Sequence, residues 1–334
     1  MPTSVVTLSL NSALQWGKVT DRQVREAIGD PAELHANTRQ ELKALLATRG
    51  DSFEPAARVA LETALATPEK TFDPPLARFS AFMRNDNAGV EYTRVPGQLV
   101  VGDLSPHDVV QGGLGDCYFL ATLSGFAATR PDVLKDAITD NHNGTYTVRF
   151  FQDDPAYGLQ ATYVTVDDDF PARNGWPVYA QTPGGELWPA VMEKAYAKFK
   201  GSYGLIGNGG MPGQVAFDLT GDVSSLRLVA LTSERGTFDR VSRALEKSQA
   251  VMAATLPDQL RGADRKVTGI VGGHVYSVAR AFEENGEQFI EVRNPWGSQG
   301  DVTTPRGRIP AQNGSVVLTA AEFKDAFPAA FIAD

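Results

Sequence analysis

Thiol chemistry in this 334-residue chain can come from one residue, Cys117, in the stretch Gln111-Gly112-Gly113-Leu114-Gly115-Asp116-Cys117-Tyr118-Phe119-Leu120. The apolar run Tyr118 to Phe126 reads as a buried helix, with Ala121, Ser124 and Gly125 small enough for close packing. Glycines ahead of it allow a tight turn that would place Cys117 near the helix N-terminus. Free N–H groups and the helix dipole favour a thiolate there. A solitary cysteine is more often an inert core residue, so the argument needs partners. Gly272-Gly273-His274-Val275-Tyr276-Ser277-Val278 offers a histidine at the mouth of an apolar strand. Arg293-Asn294-Pro295-Trp296-Gly297 offers an asparagine at the end of the next strand. Cys, His and Asn in that order supply a nucleophile, its base and the group that orients the base. Gln111, six residues before the cysteine, can donate an amide N–H to a developing oxyanion beside the Cys117 N–H.

These segments closely resemble the three active-site blocks of the calpain family. Leu187-Trp188-Pro189-Ala190-Val191-Met192-Glu193-Lys194-Ala195-Tyr196-Ala197-Lys198 resembles a fourth block of the same core. Val166-Asp167-Asp168 and Phe217-Asp218-Leu219-Thr220-Gly221 match two further landmarks. The resemblance runs in order over residues 76–334. It implies an α+β fold: a papain-like, two-subdomain cysteine protease core, with a helical half bearing the cysteine (about 76–215) and an antiparallel β half bearing His274 and Asn294 (about 216–334). The function it implies is a calpain-like cysteine endopeptidase acting on a protein or peptide substrate. Cys117, His274, Asn294 and Gln111 are then catalytic, and Trp296 shields the His–Asn hydrogen bond. Tyr118 stands where calpains usually carry tryptophan, which keeps an aromatic and reshapes the cleft wall.

No cofactor is required for that chemistry, but calpain cores bind calcium, one site per half. Asp108 and Glu193 match acidic positions of the first-half site by their place relative to Cys117 and the Glu-Lys-Ala-Tyr block. The second-half site draws on the loop after Asn-Pro-Trp-Gly, and Ser298-Gln299-Gly300-Asp301 offers one carboxylate. Six to eight oxygen ligands are hard to assemble from that, so the second site is expected to be lost. No EF-hand loop occurs, and the calcium-binding and lipid-binding domains that follow the core in conventional calpains are expected to be absent. Two other functions use the same residues. One is acyl transfer or glutamine deamidation by the same triad, separated by ammonia release. The other is a non-catalytic binding module, against which the intact set of Gln111, Cys117, His274 and Asn294 argues.

Composition narrows the setting. Hydrophobic residues make up 42% of the chain, enough for a substantial core. A net charge of −9 argues against a nucleic-acid partner. A single cysteine allows no internal disulfide, which fits a reducing compartment. No apolar run is long enough to span a membrane, and the N-terminus lacks a secretory h-region. The default location is therefore cytoplasmic, with export by a specialised secretion route left open. Oligomeric state is not readable.

The elements that must position these residues come next. Residues 1–70 are expected to form a helical N-terminal segment, either an appendage or a propeptide-like lid. Thr20 with Gln23 suggests a capping box, Pro31 a helix start running to Arg49, and Glu54-Pro55 another helix through Leu65. Thr67 to Pro75 reads as a linker. Asn143-Gly144, Asn174-Gly175 and Asn285-Gly286 mark turns between alternating strands. The last of these poses a geometric problem. A two-residue turn there pairs Glu284 with Glu287 and hence Ser277 with Asn294, leaving His274 on the opposite face. Asn294 can orient His274 only if the hairpin departs from a regular ladder through a bulge, a longer loop or a bend.

Overall fold

The computed structural model describes residues 3–15, 17–76, 89–262 and 265–334. Residues 77–88, at the start of the expected core, lie outside the described residues. The chain divides into two compact units, Met1–Asp73 with Ile138–Asp168, and Pro74–Ala137 with Asp169–Asp334. Helices and antiparallel sheets make it an α+β protein. Among the described residues, no helix is long and apolar enough to cross a membrane.

The first unit combines four helices, Val5–Leu14, Asp21–Ile28, Ala36–Arg49 and Pro55–Ala66, with a three-stranded sheet. Its core gathers Leu10, Val24, Leu42, Phe53 and Leu61. The Thr20–Gln23 capping box forms as its sequence suggests. Pro31 opens only a single 3-10 turn, Pro31–Glu33, and the helix itself restarts at Ala36. The extended backbone of Leu34 and His35 makes this break. Arg39 occupies the space behind it. Its guanidinium donates to the carbonyls of Leu34 (2.7 Å), Pro31 (2.6 Å) and Leu65 (3.1 Å). The Leu65 carbonyl lies in the last turn of its helix, where carbonyls lack an intrahelical partner, and the Pro31 carbonyl also accepts the Leu34 N–H at 3.3 Å. The sheet, Ile138–Asp140, Thr145–Asp154 and Gly158–Asp167, is tied to the helices by the Tyr163 N–H donating to Asn37 Oδ1 at 2.8 Å.

In the second unit a six-stranded antiparallel sheet runs in the order Ser315–Thr319, Glu287–Arg293, Val275–Glu284, Ala250–Ala254, Ala329–Ala333, Ser225–Leu228. Helix Cys117–Thr129 packs on its central strands, and every residue from Tyr118 to Ala127 is buried. Gly125 makes that approach close, since a Cβ there would lie 3.3 Å from Met252 Sδ. Helix Ala320–Ala326 carries the capping box of Thr319 and Glu322.

The hairpin through Asn285-Gly286 resolves the register problem. Asn285 and Gly286 both take positive φ (53° and 79°), as a tight primed turn requires. Glu284 pairs with Glu287, and the ladder runs regularly to Arg280 opposite Glu291. Val292 then pairs with Val278 and Arg293 with Ser277, so Ala279 is the extra residue of a bulge. One residue of slip reverses the face that every later side chain presents. Asn294 is thereby carried to the side of the hairpin that His274 occupies.

Candidate active site

Cys117 is the first residue of its helix, and Asp116 is the N-cap. The Gly-rich approach is held by close backbone contacts. Gly113 N–H donates to the Val178 carbonyl at 2.8 Å, and a Cβ on Gly112 would sit 2.0 Å from the Tyr179 carbonyl oxygen. Only glycine fits there. Gln111 is tied by its own N–H to the Pro295 carbonyl at 2.8 Å, joining the cysteine segment to the residue after Asn294. A cleft of about 580 Å³ is lined by Gln111, Cys117, His274 and Trp296, with Trp176 and Val271 among its walls.

His274 and Asn294 are buried and directly bonded, with Nε2 of the ring 2.9 Å from Oδ1 of the amide. The same oxygen accepts the Trp296 N–H at 3.0 Å. The Trp296 ring lies 4.8 Å from the imidazole, tilted by 50°, and Tyr276 meets it edge-on at 5.2 Å. The histidine backbone is fixed by Thr255, whose hydroxyl accepts the His274 N–H at 2.9 Å. Burial lowers the imidazole pKa to about 4, and the Asn294 bond opposes that shift. The ring is therefore neutral at neutral pH. With Nε2–H donating to an amide oxygen, the other nitrogen, Nδ1, is left as a proton acceptor.

The nucleophile's side differs. Burial raises the Cys117 thiol to about 11, the Val275 N–H opposes this, and the neighbouring Asp116 carboxylate adds to it. Burial thus works against the thiolate that the helix N-terminus favours. Beneath the cysteine, Asp116 and Glu193 form a buried pair, 0% and 2% exposed. Burial pushes Asp116 up to about 7, although its bond to Glu193 pulls the other way. Burial and then Asp116 push Glu193 well above the usual carboxylate range. One proton is shared, held on Glu193 and donated to Asp116. Both Glu193 oxygens also accept the Ala180 N–H, at 3.0 and 3.1 Å. The Gln111 Nε2 donates to the Leu114 carbonyl at 2.6 Å and makes a longer 3.4 Å contact to Asp116, while its Oε1 has no partner among the described residues.

Asp108 and Glu193 are engaged separately. Asp108 accepts the Ser105 N–H (2.7 Å) and the Trp188 indole N–H (3.0 Å). The carboxyl that faces it is Glu186, raised by burial and by the Asp108 charge, with its Oε1 accepting the Val101 N–H at 2.6 Å. Glu193 accepts the Ala180 N–H and pairs with Asp116, while Asp108 pairs with Glu186, so the two candidates sit in separate carboxyl pairs. The two do not fit that ion together. Among the described residues, no group of three or more His, Cys, Asp or Glu could hold a metal. Tyr118 is buried, donates to the Ile206 carbonyl at 3.2 Å and packs its ring against Gly210. Sequence reasoning missed Glu186, the Asp116–Glu193 pair, Thr255 and Gln299. The pair alone had a local signal, a carboxylate directly before the cysteine.

An α+β core with a cysteine at a helix start and a buried His–Asn pair lining the same cleft is the architecture of a cysteine protease. Residues 85–304 match the family model described as calpain family cysteine protease, and the chain belongs to that family. Among its relatives, the calpain-type cysteine protease DEK1 of Arabidopsis thaliana is 34% identical over 223 residues, covering 62% of this chain and 10% of that protein. The calpain-2 catalytic subunit of Homo sapiens is 29% identical over 298 residues, covering 83% of this chain and 40% of that one. Calpain clp-1 of Caenorhabditis elegans is 29% identical over 228 residues, or 64% of this chain and 28% of that protein. The chain thus spans less than half the length of each.

Proposed function

We propose that this chain hydrolyses peptide bonds in protein substrates as a calpain-like endopeptidase, through Cys117, His274 and Asn294 with Gln111 as oxyanion donor. The observation that carries this reading is the 2.9 Å bond between His274 Nε2 and Asn294 Oδ1 beside a cleft that Cys117 also lines. His274 Nδ1 takes the thiol proton as the sulfur attacks the carbonyl carbon. It then passes that proton to the departing amine as the C–N bond breaks. Water hydrolyses the thioester in a second step, its proton taken by the same nitrogen and returned to the sulfur. Because thiol and imidazole are both neutral at rest, the proton moves on substrate binding. A peptide that displaces water and places its oxygen near Gln111 and the Cys117 N–H provides the charge stabilisation for it. The longer Gln111–Asp116 contact is the one that gives way to the oxyanion.

No step is routed through calcium, since Asp108 and Glu193 do not jointly fit it. The segment 1–70 is read as a built-in part of the first unit and not as a lid, because Asn37 pins the strand at Tyr163 and Arg39 ties Pro31 to Leu65. The test is cleavage of unfolded protein and fluorogenic peptide substrates by the full chain and by Cys117→Ala. The wild type is expected to cleave and the variant to lose all measurable turnover while keeping its melting temperature within a few degrees. Ammonia release without chain cleavage would move the reading to deamidation. Cleavage retained by the variant would end it.

A further inference from the structure

We infer that Gln299, in the short loop after Trp296-Gly297, is a positioning residue that fixes which way the Asn294 amide faces. This rests on the reading of His274 as the base. An asparagine amide is nearly symmetric in shape, so packing alone cannot choose between its two orientations. Only Oδ1 toward the ring stabilises the Nε2–H tautomer. With Nδ2 there instead, the imidazole would accept at Nε2 and carry its proton on Nδ1, where it cannot receive one from Cys117.

The bonds around Gln299 decide the matter in sequence. Its Nε2 donates to the backbone carbonyls of Gly269 (2.8 Å) and Gly300 (3.1 Å), two groups that can only accept. That leaves its Oε1 to meet donors. The oxygen accepts Asn294 Nδ2–H at 3.1 Å and the Tyr276 hydroxyl at 2.9 Å. Tyr276 uses its one O–H on Gln299, and its oxygen accepts the Val271 N–H at 3.0 Å. With Nδ2 held by Gln299, Asn294 presents Oδ1 to His274 and to the Trp296 N–H. Two backbone carbonyls thus set the polarity of Gln299, Gln299 sets Asn294 together with the Trp296 N–H that its Oδ1 accepts, and Asn294 sets the tautomer. The same chain runs through Gly269 and Val271, so the loop that precedes His274 and walls the cleft is held to the base from behind.

The experiment pairs turnover with a readout that needs none. Gln299→Met keeps side-chain length and removes both halves of the relay. Gln299→Glu keeps an oxygen for Asn294 and Tyr276. Each is made in the active chain, for kcat and KM on a fluorogenic peptide. Each is also made in a Cys117→Ala background, for ¹⁵N imidazole spectra of His274. Gln299→Met is expected to lower kcat by about ten- to a hundred-fold with KM little changed. Its His274 should shift from the Nε2–H tautomer toward a mixture, and Gln299→Glu should fall between it and wild type in both readouts. Wild-type kcat together with an unchanged Nε2–H signal in Gln299→Met would overturn the inference. So would loss of activity with the tautomer untouched, which is what mere loop support would give. A wild type that cleaves nothing while the tautomer shifts in Gln299→Met would sink the peptidase reading and leave the relay standing.

Discussion

The two sides of the proposed site are built on opposite principles. On the base side the groups that hold the imidazole are paired: His274 to Asn294 and Thr255, and Asn294 to Trp296 and Gln299. On the nucleophile side the groups are under electrostatic load. The thiol is pushed up to about 11, a carboxyl–carboxylate pair is buried next to it, and Gln111 Oε1 has no partner among the described residues. A fully satisfied network in a low-dielectric interior is rigid, whereas an incompletely satisfied one holds energy that a ligand can release. Under the proposed mechanism, the contrast means a base that is pre-organised and a nucleophile that is activated by what enters the cleft.

That division can be broken from either side. The largest effect after loss of the thiol is expected from Gln111→Ala. It removes an oxyanion donor and should cost about 10²- to 10³-fold in kcat with KM little affected. A rise in KM of the same size with kcat unchanged would show Gln111 binding substrate in its ground state. The Gln299→Met effect should be smaller and confined to the base side, leaving the Gln111 contribution intact.

The smallest effect concerns stability. Asp116 and Glu193 have raised values in the folded chain, so the folded state holds protons that the unfolded chain releases above about 4. Their contribution is fully present below that pH and is lost as pH rises through about 7. Glu193→Gln offers Asp116 a permanent neutral donor. The melting temperature of the variant relative to wild type should therefore improve between pH 5 and pH 8.5, by a few degrees at roughly 2–4 °C per kcal/mol. A flat difference across that range would show that the pair shares no proton. His274 acts in the opposite direction. Its value is depressed to about 4, so the unfolded chain binds the extra proton and stability falls as pH drops below about 6.5.

Much of this was legible in the chain. The buried helix after Cys117, the capping boxes at Thr20 and Thr319 and the turn at Asn285-Gly286 follow from local patterns, and all appear. The need for an irregular hairpin was also legible, because period-two alternation puts His274 and Asn294 on opposite faces. That the irregularity is a bulge at Ala279 was not, since neither Ala279 nor its neighbours carry a bulge signal. Pro31 misled in the other direction, because the break at Leu34 and His35 depends on a guanidinium from Arg39, five residues and a turn away. Gln299 and Glu186 act through carbonyls and carboxyls distant in sequence, which no spacing reveals. Likewise, helix position suggested a thiolate for Cys117, and the burial that opposes it comes from chain distant in sequence.

The central claim is that Cys117 is a nucleophile served by a base already in place. Intact-mass labelling with an epoxide that alkylates papain-type cysteines, in chelator at neutral pH, tests it most directly. The account predicts one adduct on the full chain, none on Cys117→Ala, and labelling slowed by about 10²-fold or more in His274→Ala. No adduct on the wild type, or equal rates with and without His274, would contradict it.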